Sequence, residues 1–367
     1  MTGGLHETQI DDVTPKLPKA IESTSPVTKS FDLWITALGF EERCGAWARA
    51  LAEGGSDLGV ALVCAYATNR EQNRANETAL IADLERCSAQ VEWIEADEQN
   101  LTEIIRERIA GLRARLDRPL RIGWDISVAS NRLIVRLGRS LMDRGNSVEV
   151  LYSEAMTYFP TEEEYSAEPS RWTDDERMGL DRGTLNVRTA SEFPGVHSSQ
   201  LPNRLVVLPG YNRDRVRKVI SNVDSQFLVE LDSAPIAWLV GSPHLQEDSW
   251  REVAISQIHG IPPTHESLPL STFDYAETLS VLERLYGKWG RKCNLTISPM
   301  GSKFQALGCA LFCIARPDVR VVFAQPEEYN VARYTSGVKA RWSVDFMLID
   351  SLLGELMKLG TLSRLAT

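Results

Sequence analysis

Apolar residues fall along this chain in short runs, separated by stretches with helical spacing. The runs near Leu33–Leu38, Gly59–Tyr66, Val91–Glu95, Leu120–Ile126 and Val148–Tyr152 are too short for helices and nearly unbroken by polar residues. That is the pattern of strands buried on both faces. A second set follows near Leu205–Leu208, Ile236–Val240, His265–Leu270, Asn294–Ser298 and Val319–Phe323. Segments such as Leu101–Leu116 and Asp274–Trp289 carry apolar residues three and four apart and predict the crossover helices of parallel sheets.

The two sets are variants of one pattern. Phe31-Asp-Leu-Trp-Ile-Thr-Ala-Leu-Gly39-Phe40-Glu41-Glu42-Arg43 matches Arg204-Leu-Val-Val-Leu-Pro-Gly210-Tyr211-Asn212-Arg213-Asp214-Arg215: a strand, a glycine and aromatic, then a polar turn opening a helix. Further on, Asp125-Ile-Ser127-Val-Ala-Ser130-Asn131-Arg132 faces Thr296-Ile-Ser298-Pro-Met-Gly301-Ser302-Lys303. Gly39 to Gly210, Ser127 to Ser298 and Tyr152 to Phe323 are each 171 residues apart. One spacing at three strand-to-helix junctions points to internal duplication. The expected fold is therefore α/β, with two tandem Rossmann-like, doubly wound parallel-sheet units of five strands each.

The remaining segments set the expected boundaries. Residues 1–29 mix acidic residues with Thr, Pro and Lys and are expected to be a disordered arm. The first unit spans 30–155 and the second 204–342. Residues 156–203, rich in Glu, Ser, Asp and Pro, form an acidic linker or insert. Phe346, Met347, Ile349, Leu352, Leu353, Leu356 and Met357 predict a C-terminal helix within 343–367.

Composition narrows the function classes. At 43% hydrophobic and 25% charged residues the chain is ordinary for a globular protein, with no apolar run long enough to span a bilayer. The N-terminus lacks the basic start and apolar core of a signal peptide, so the expected compartment is the cytoplasm. A net charge of −10 argues against coating extended duplex, while leaving room for a local basic pocket. The six cysteines form no C-x-x-C pair and the five histidines no zinc-ligand spacing, so no metal or cofactor is expected.

In an open parallel sheet, ligands collect beyond the carboxyl ends of the strands, where helix N-termini and loop amides converge. Two pairs of loops occupy that position here. After strand one, Gly39, Phe40 and Arg43, with Gly210, Tyr211 and Arg215, offer close backbone approach, a stacking ring and a phosphate partner. After strand four, Asp125, Ser127, Ser130 and Arg132, with Ser298, Gly301, Ser302 and Lys303, offer hydroxyls, amides and a cation to an anionic group. The same serines also fit as plain helix caps. Ser-x-x-Gly-Ser-Lys is not a P-loop, because the first glycine and the four-residue spacer are missing. Tyr329 lies in a third loop, Gln325–Gly337, whose first-half counterpart is Ser153–Phe159. No nucleophile and base stand in a recognisable catalytic order, so no catalytic residue is assigned.

At Asn294-Leu-Thr-Ile-Ser298-Pro-Met-Gly301-Ser302-Lys303 the chain resembles the CARF and SAVED families, Rossmann-like sensors of cyclic oligonucleotides in prokaryotic antiviral systems. Those families place a hydroxyl- or glycine-rich turn ending in Lys or Arg against the ligand, and SAVED proteins fuse two such units. The resemblance implies a binding module for an anionic, nucleotide-like small molecule. It also implies a separate effector protein, since no nuclease, protease or membrane segment is attached. Two other readings stay open: a nucleotide- or NAD-processing enzyme using one half's crevice, and a scaffold in a multi-protein complex.

Overall fold

The structure, a computed structural model, describes residues 10, 13–24, 27–169, 172 and 180–356. Its strands in chain order are β1 (Ile21–Glu22), β2 (Ser30–Leu38), β3 (Asp57–Ala65), β4 (Gln90–Glu95), β5 (Leu120–Asp125), β6 (Asn146–Glu154), β7 (Thr157–Tyr158), β8 (Asp181–Arg182) and β9 (Asn186–Pro194). Then come β10 (Asn203–Leu208), β11 (Ile236–Ser242), β12 (Glu266–Ser271), β13 (Asn294–Pro299), β14 (Arg320–Gln325), β15 (Glu328–Tyr329), β16 (Thr335–Ser336) and β17 (Ala340–Leu348). The helices used below are α1 (Ala46–Glu53), α2 (Glu77–Arg86), α3 (Leu101–Leu116), α4 (Asn131–Leu141), α5 (Arg213–Val223), α6 (Trp250–His259), α7 (Tyr275–Trp289) and α8 (Lys303–Ala315).

The chain forms two α/β units. The first comprises Leu17–Phe159 and Val331–Glu355; the second is built on Pro160–Asn330 with residues from the chain ends. The first sheet runs β1-β17-β6-β5-β2-β3-β4 and the second β12-β11-β10-β13-β14-β9. In each, the five parallel strands lie in the order fifth, fourth, first, second, third, so the order reverses between the first strand and the fourth. Both units are the doubly wound arrangement expected from the strand and helix pattern.

The constant spacing hides a slip in register. Trp34 pairs with Gly123, yet their counterparts 171 residues on, Leu205 and Asn294, do not pair. Leu205 pairs with Thr296, and Asn294 with Asn203. A two-residue slip is one full pleat period, so every side chain keeps its face. Local packing differs at the same place. A Cβ on Gly123 would sit 2.6 Å from Trp34 Cε3, so the fully buried indole needs glycine beside it. The second unit has Leu205 in place of that tryptophan, and Leu205 packs with Val207, Trp238 and Val322.

Beside its fifth strand each sheet carries an antiparallel strand where the sequence predicts none. In the second unit β9 pairs with β14, drawing Asn186–Pro194 of the expected linker into the sheet. In the first unit β17 pairs with β6 over residues read as helix, and only 349–356 are helical among the described tail residues. The expected helix beyond 356 lies outside the described residues. The N-terminal arm also differs where it is described: β1 pairs with β17, and Leu17 and Val27 are buried. Residues 1–9, 11–12 and 25–26 of that arm lie outside the described residues.

No helix among the described residues is long and apolar enough to cross a membrane.

Candidate functional site

The arginines after the two first strands take the same structural role. Arg43 is 2% exposed. It donates to Glu41 Oε2 at 2.9 Å, to Tyr152 Oη at 3.2 Å and to the Ser153 carbonyl at 3.0 Å. The Tyr152 and Tyr158 rings flank its guanidinium at 5.5 and 5.7 Å. Arg215 donates to the Ala324 carbonyl at 3.1 and 2.6 Å and pairs with Asp181. Ser153 and Ala324 are each the penultimate residue of a fifth strand. Both arginines therefore tie the segment after strand one to the carboxyl end of strand five.

The serines at the ends of the fourth strands, Ser127 just beyond β5 and Ser298 within β13, reinforce the same seam. Ser127 Oγ donates to Asp125 Oδ1 at 2.5 Å and accepts from the Ser153 amide at 2.8 Å. Ser298 Oγ donates to the Val322 carbonyl at 3.0 Å. Both serines are fully buried. Burial outweighs the Ser127 hydrogen bonds and the nearby Arg43 charge, and pushes the Asp125 carboxyl up to about 6. Gly39 and Gly210 likewise match: the Gly39 carbonyl accepts from Asn76 Nδ2 at 2.8 Å, and that of Gly210 from His259 Nε2 at 2.7 Å. His259 Nδ1 is buried with no partner, and burial pushes this imidazole down to about 4.

The aromatic residues of these loops pack against the chain. Phe40 meets Tyr334 edge-on, with ring centroids 5.5 Å apart. Thr335 Oγ1 donates to Glu41 at 2.6 Å, and the Gly337 amide donates to Glu42 at 2.8 Å. The segment carrying β16, which pairs with β7, thus lies over the first-strand turn of its unit. In the second unit β15 pairs with β8, placing Tyr329 opposite Asp181, the partner of Arg215. Tyr211 Oη accepts from Arg251 at 3.1 Å, its ring edge meets Trp172, and burial pushes the phenol up to about 12.

The turns after strand four begin helices, as their serines suggest. Ser130 caps α4, accepting from the Leu133 amide at 3.1 Å, and Arg132 pairs with Asp97. Ser302 caps α8 in a reciprocal box with Gln305, at 3.1 and 2.9 Å, and also donates to the Thr272 carbonyl at 2.6 Å. A Cβ on Gly301 would sit 2.0 Å from Gln305 Oε1, so this box requires glycine there. Lys303, half-buried, is the first residue of α8.

Open space lies beside strand one and two further strands, β3 and β4, whose ends the sequence motifs do not mark. At the carboxyl ends of β2, β3 and β4 is a cleft of ≈ 330 Å³, within the size range of small-molecule sites. Leu38 and Tyr66 line it from the strand ends, Trp93 and Glu95 from the edge strand β4, and Arg70 and Arg74 from the turn after β3. Asn73 holds that turn by donating to the Thr68 carbonyl at 3.0 Å, and Asn69 adopts left-handed backbone with φ 54°. Tyr66 Oη accepts from the Ser130 amide at 2.7 Å, which joins the cleft to the N-terminus of α4. Trp93 is 46% exposed, and Arg70 meets Glu95 at 3.1 Å. An exposed indole with two guanidiniums beside a helix N-terminus suits a flat ring bearing an anionic group.

At the corresponding edge of the second unit three rings pack in series, the outermost, His244, exposed. His244, after β11, lies 4.2 Å from Phe273, after β12, which lies 4.9 Å from Phe304 of α8. The structure thus brings Ser130 near the open cleft. It places Arg43, Asp125, Ser127, Arg215 and Ser298 in the buried seams. The cleft residues carry one signal that could have found them: Trp93 and Glu95 share a face of a short strand and give it an exposed aromatic. No family model matches this chain, and no curated protein matches it.

Proposed function

We propose that the chain is a ligand-binding protein whose first unit holds an anionic, nucleotide-like small molecule in the cleft beyond β2, β3 and β4. The observation that carries this reading is the meeting of exposed Trp93 with Arg70 and Arg74 in one cleft at a parallel sheet's carboxyl edge. A base stacks on the indole, and a phosphate takes the guanidiniums. The resemblance of residues 294–303 to the CARF and SAVED turn supports extending the ligand class to a cyclic oligonucleotide signal. On that extension the chain is the sensing component of a prokaryotic defence system, acting through a separate effector protein.

Calorimetric titration with adenosine 5′-monophosphate and with cyclic tetra-adenylate tests the reading. Both ligands are expected to bind, and Arg70→Ala to weaken binding about tenfold to a hundredfold, the effect of losing one charge-assisted hydrogen bond. Absence of binding to both ligands, or equal affinities in wild type and variant, contradicts it.

A further inference from the structure

Of the two carboxylates that line the cleft, Glu77 and Glu95, the second shares its strand with the exposed indole. Glu95 ends β4, two residues beyond Trp93. Residues two apart on a strand face the same side, about 6.6 Å apart at twice the rise per residue. That spacing is within reach of one nucleotide with its base on Trp93 and its sugar hydroxyls at Glu95. Arg70, whose guanidinium meets Glu95 at 3.1 Å, is within reach of the same nucleotide's 5′-phosphate.

Resting on the nucleotide reading of this cleft, we infer that Glu95 accepts hydrogen bonds from the ribose hydroxyls and selects ribonucleotides over deoxyribonucleotides. An ionised carboxylate only accepts hydrogen bonds, so it takes hydroxyl donors and repels a phosphate. It thereby fixes the direction of the bound nucleotide, sugar at Glu95 and phosphate at Arg70. The Arg70–Glu95 pair does not block this use. Their side chains are 60% and 49% exposed, and an ion pair so open to water is a weak restraint. A sugar hydroxyl can join Glu95 while the phosphate takes the outer edge of Arg70. A ribose hydroxyl that donates to this carboxylate adds a charge-assisted hydrogen bond that the 2′-deoxy analogue lacks.

The test is calorimetric titration of wild type and Glu95→Ala with adenosine 5′-monophosphate and its 2′-deoxy analogue. Wild type is expected to prefer the ribonucleotide by about tenfold, and Glu95→Ala to bind both equally. Glu95 is half-exposed on an edge strand, so the variant is expected to fold, which circular dichroism checks. Equal binding by wild type overturns the inference and leaves the cleft reading standing. A preference that survives in Glu95→Ala overturns the assignment to Glu95. Failure of both nucleotides to bind wild type overturns the cleft reading and the inference with it.

Discussion

The carboxyl edges of the two sheets share a strand order and differ in what occupies them. In the second unit the His244, Phe273 and Phe304 rings pack in series beyond β11 and β12. In the first, the equivalent edge is an open cleft of ≈ 330 Å³ with Trp93 half-exposed in its wall. The positions that recur in both units, Arg43 with Arg215 and Ser127 with Ser298, hold strand ends together. The positions that differ surround the open space. Repetition in this molecule marks the seams of the fold, and divergence marks the candidate site.

The sharpest way to break that comparison is to cut the matching seams. Arg43→Ala strands Glu41 in the protein interior without its charge partner and is expected to cost about 3–5 kcal/mol. Arg215 is more open, with a side chain 17% exposed, and Arg215→Ala is expected to cost about 2 kcal/mol. Denaturant unfolding of both variants measures the pair. A small loss for Arg43→Ala would mean that this arginine is available to a ligand after all.

A second difference lies in the response to pH, with opposite signs in the two units. Asp125 of the first unit rises from 3.8 to about 6 through burial. Its folded form holds the proton more tightly than the unfolded chain. The stability it lends is therefore complete below about pH 4 and is lost as pH rises to about 6. His259 of the second unit falls from 6.5 to about 4 through burial, so its contribution is present above pH 6.5 and lost as pH falls to about 4. Each swing is on the order of 3 kcal/mol. Acidification from pH 7 to pH 4.5 is expected to weaken the second unit relative to the first. Asp125→Asn and His259→Gln should each flatten the profile of their own unit. Hydrogen exchange resolved by peptide checks this, and parallel shifts in both units would contradict it.

The sequence carried much of the fold because parallel strands buried on both faces leave unbroken apolar runs, and all ten appear close to their expected positions. It concealed the two antiparallel strands beside the fifth strands for separate reasons. In β17, Trp342, Val344, Phe346 and Leu348 alternate as a strand should, but Phe346 and Met347 also continue the helical spacing of 349–356. Its partner β6 is nearly two hundred residues away, and nothing local identifies it. β9 is half-exposed, rich in polar residues and irregular opposite Arg320 and Val322, so it reads as linker. The candidate site was less legible. A search for internal similarity weights positions that both halves keep, whereas Tyr66, Arg70, Arg74 and Trp93 have no second-half match in the motif. The turn after β3 has no glycine signature either, since Asn69 supplies its left-handed residue.

The most direct test of the account is hydrogen exchange followed by mass spectrometry, with and without a saturating concentration of adenosine 5′-monophosphate. Slowed exchange is expected in 66–77 and 93–99 of the first unit, with 298–305 of the second unchanged. Protection at 298–305 without protection at 66–77 would contradict it, and would move the site from the edge where the units diverge to the turn that they share.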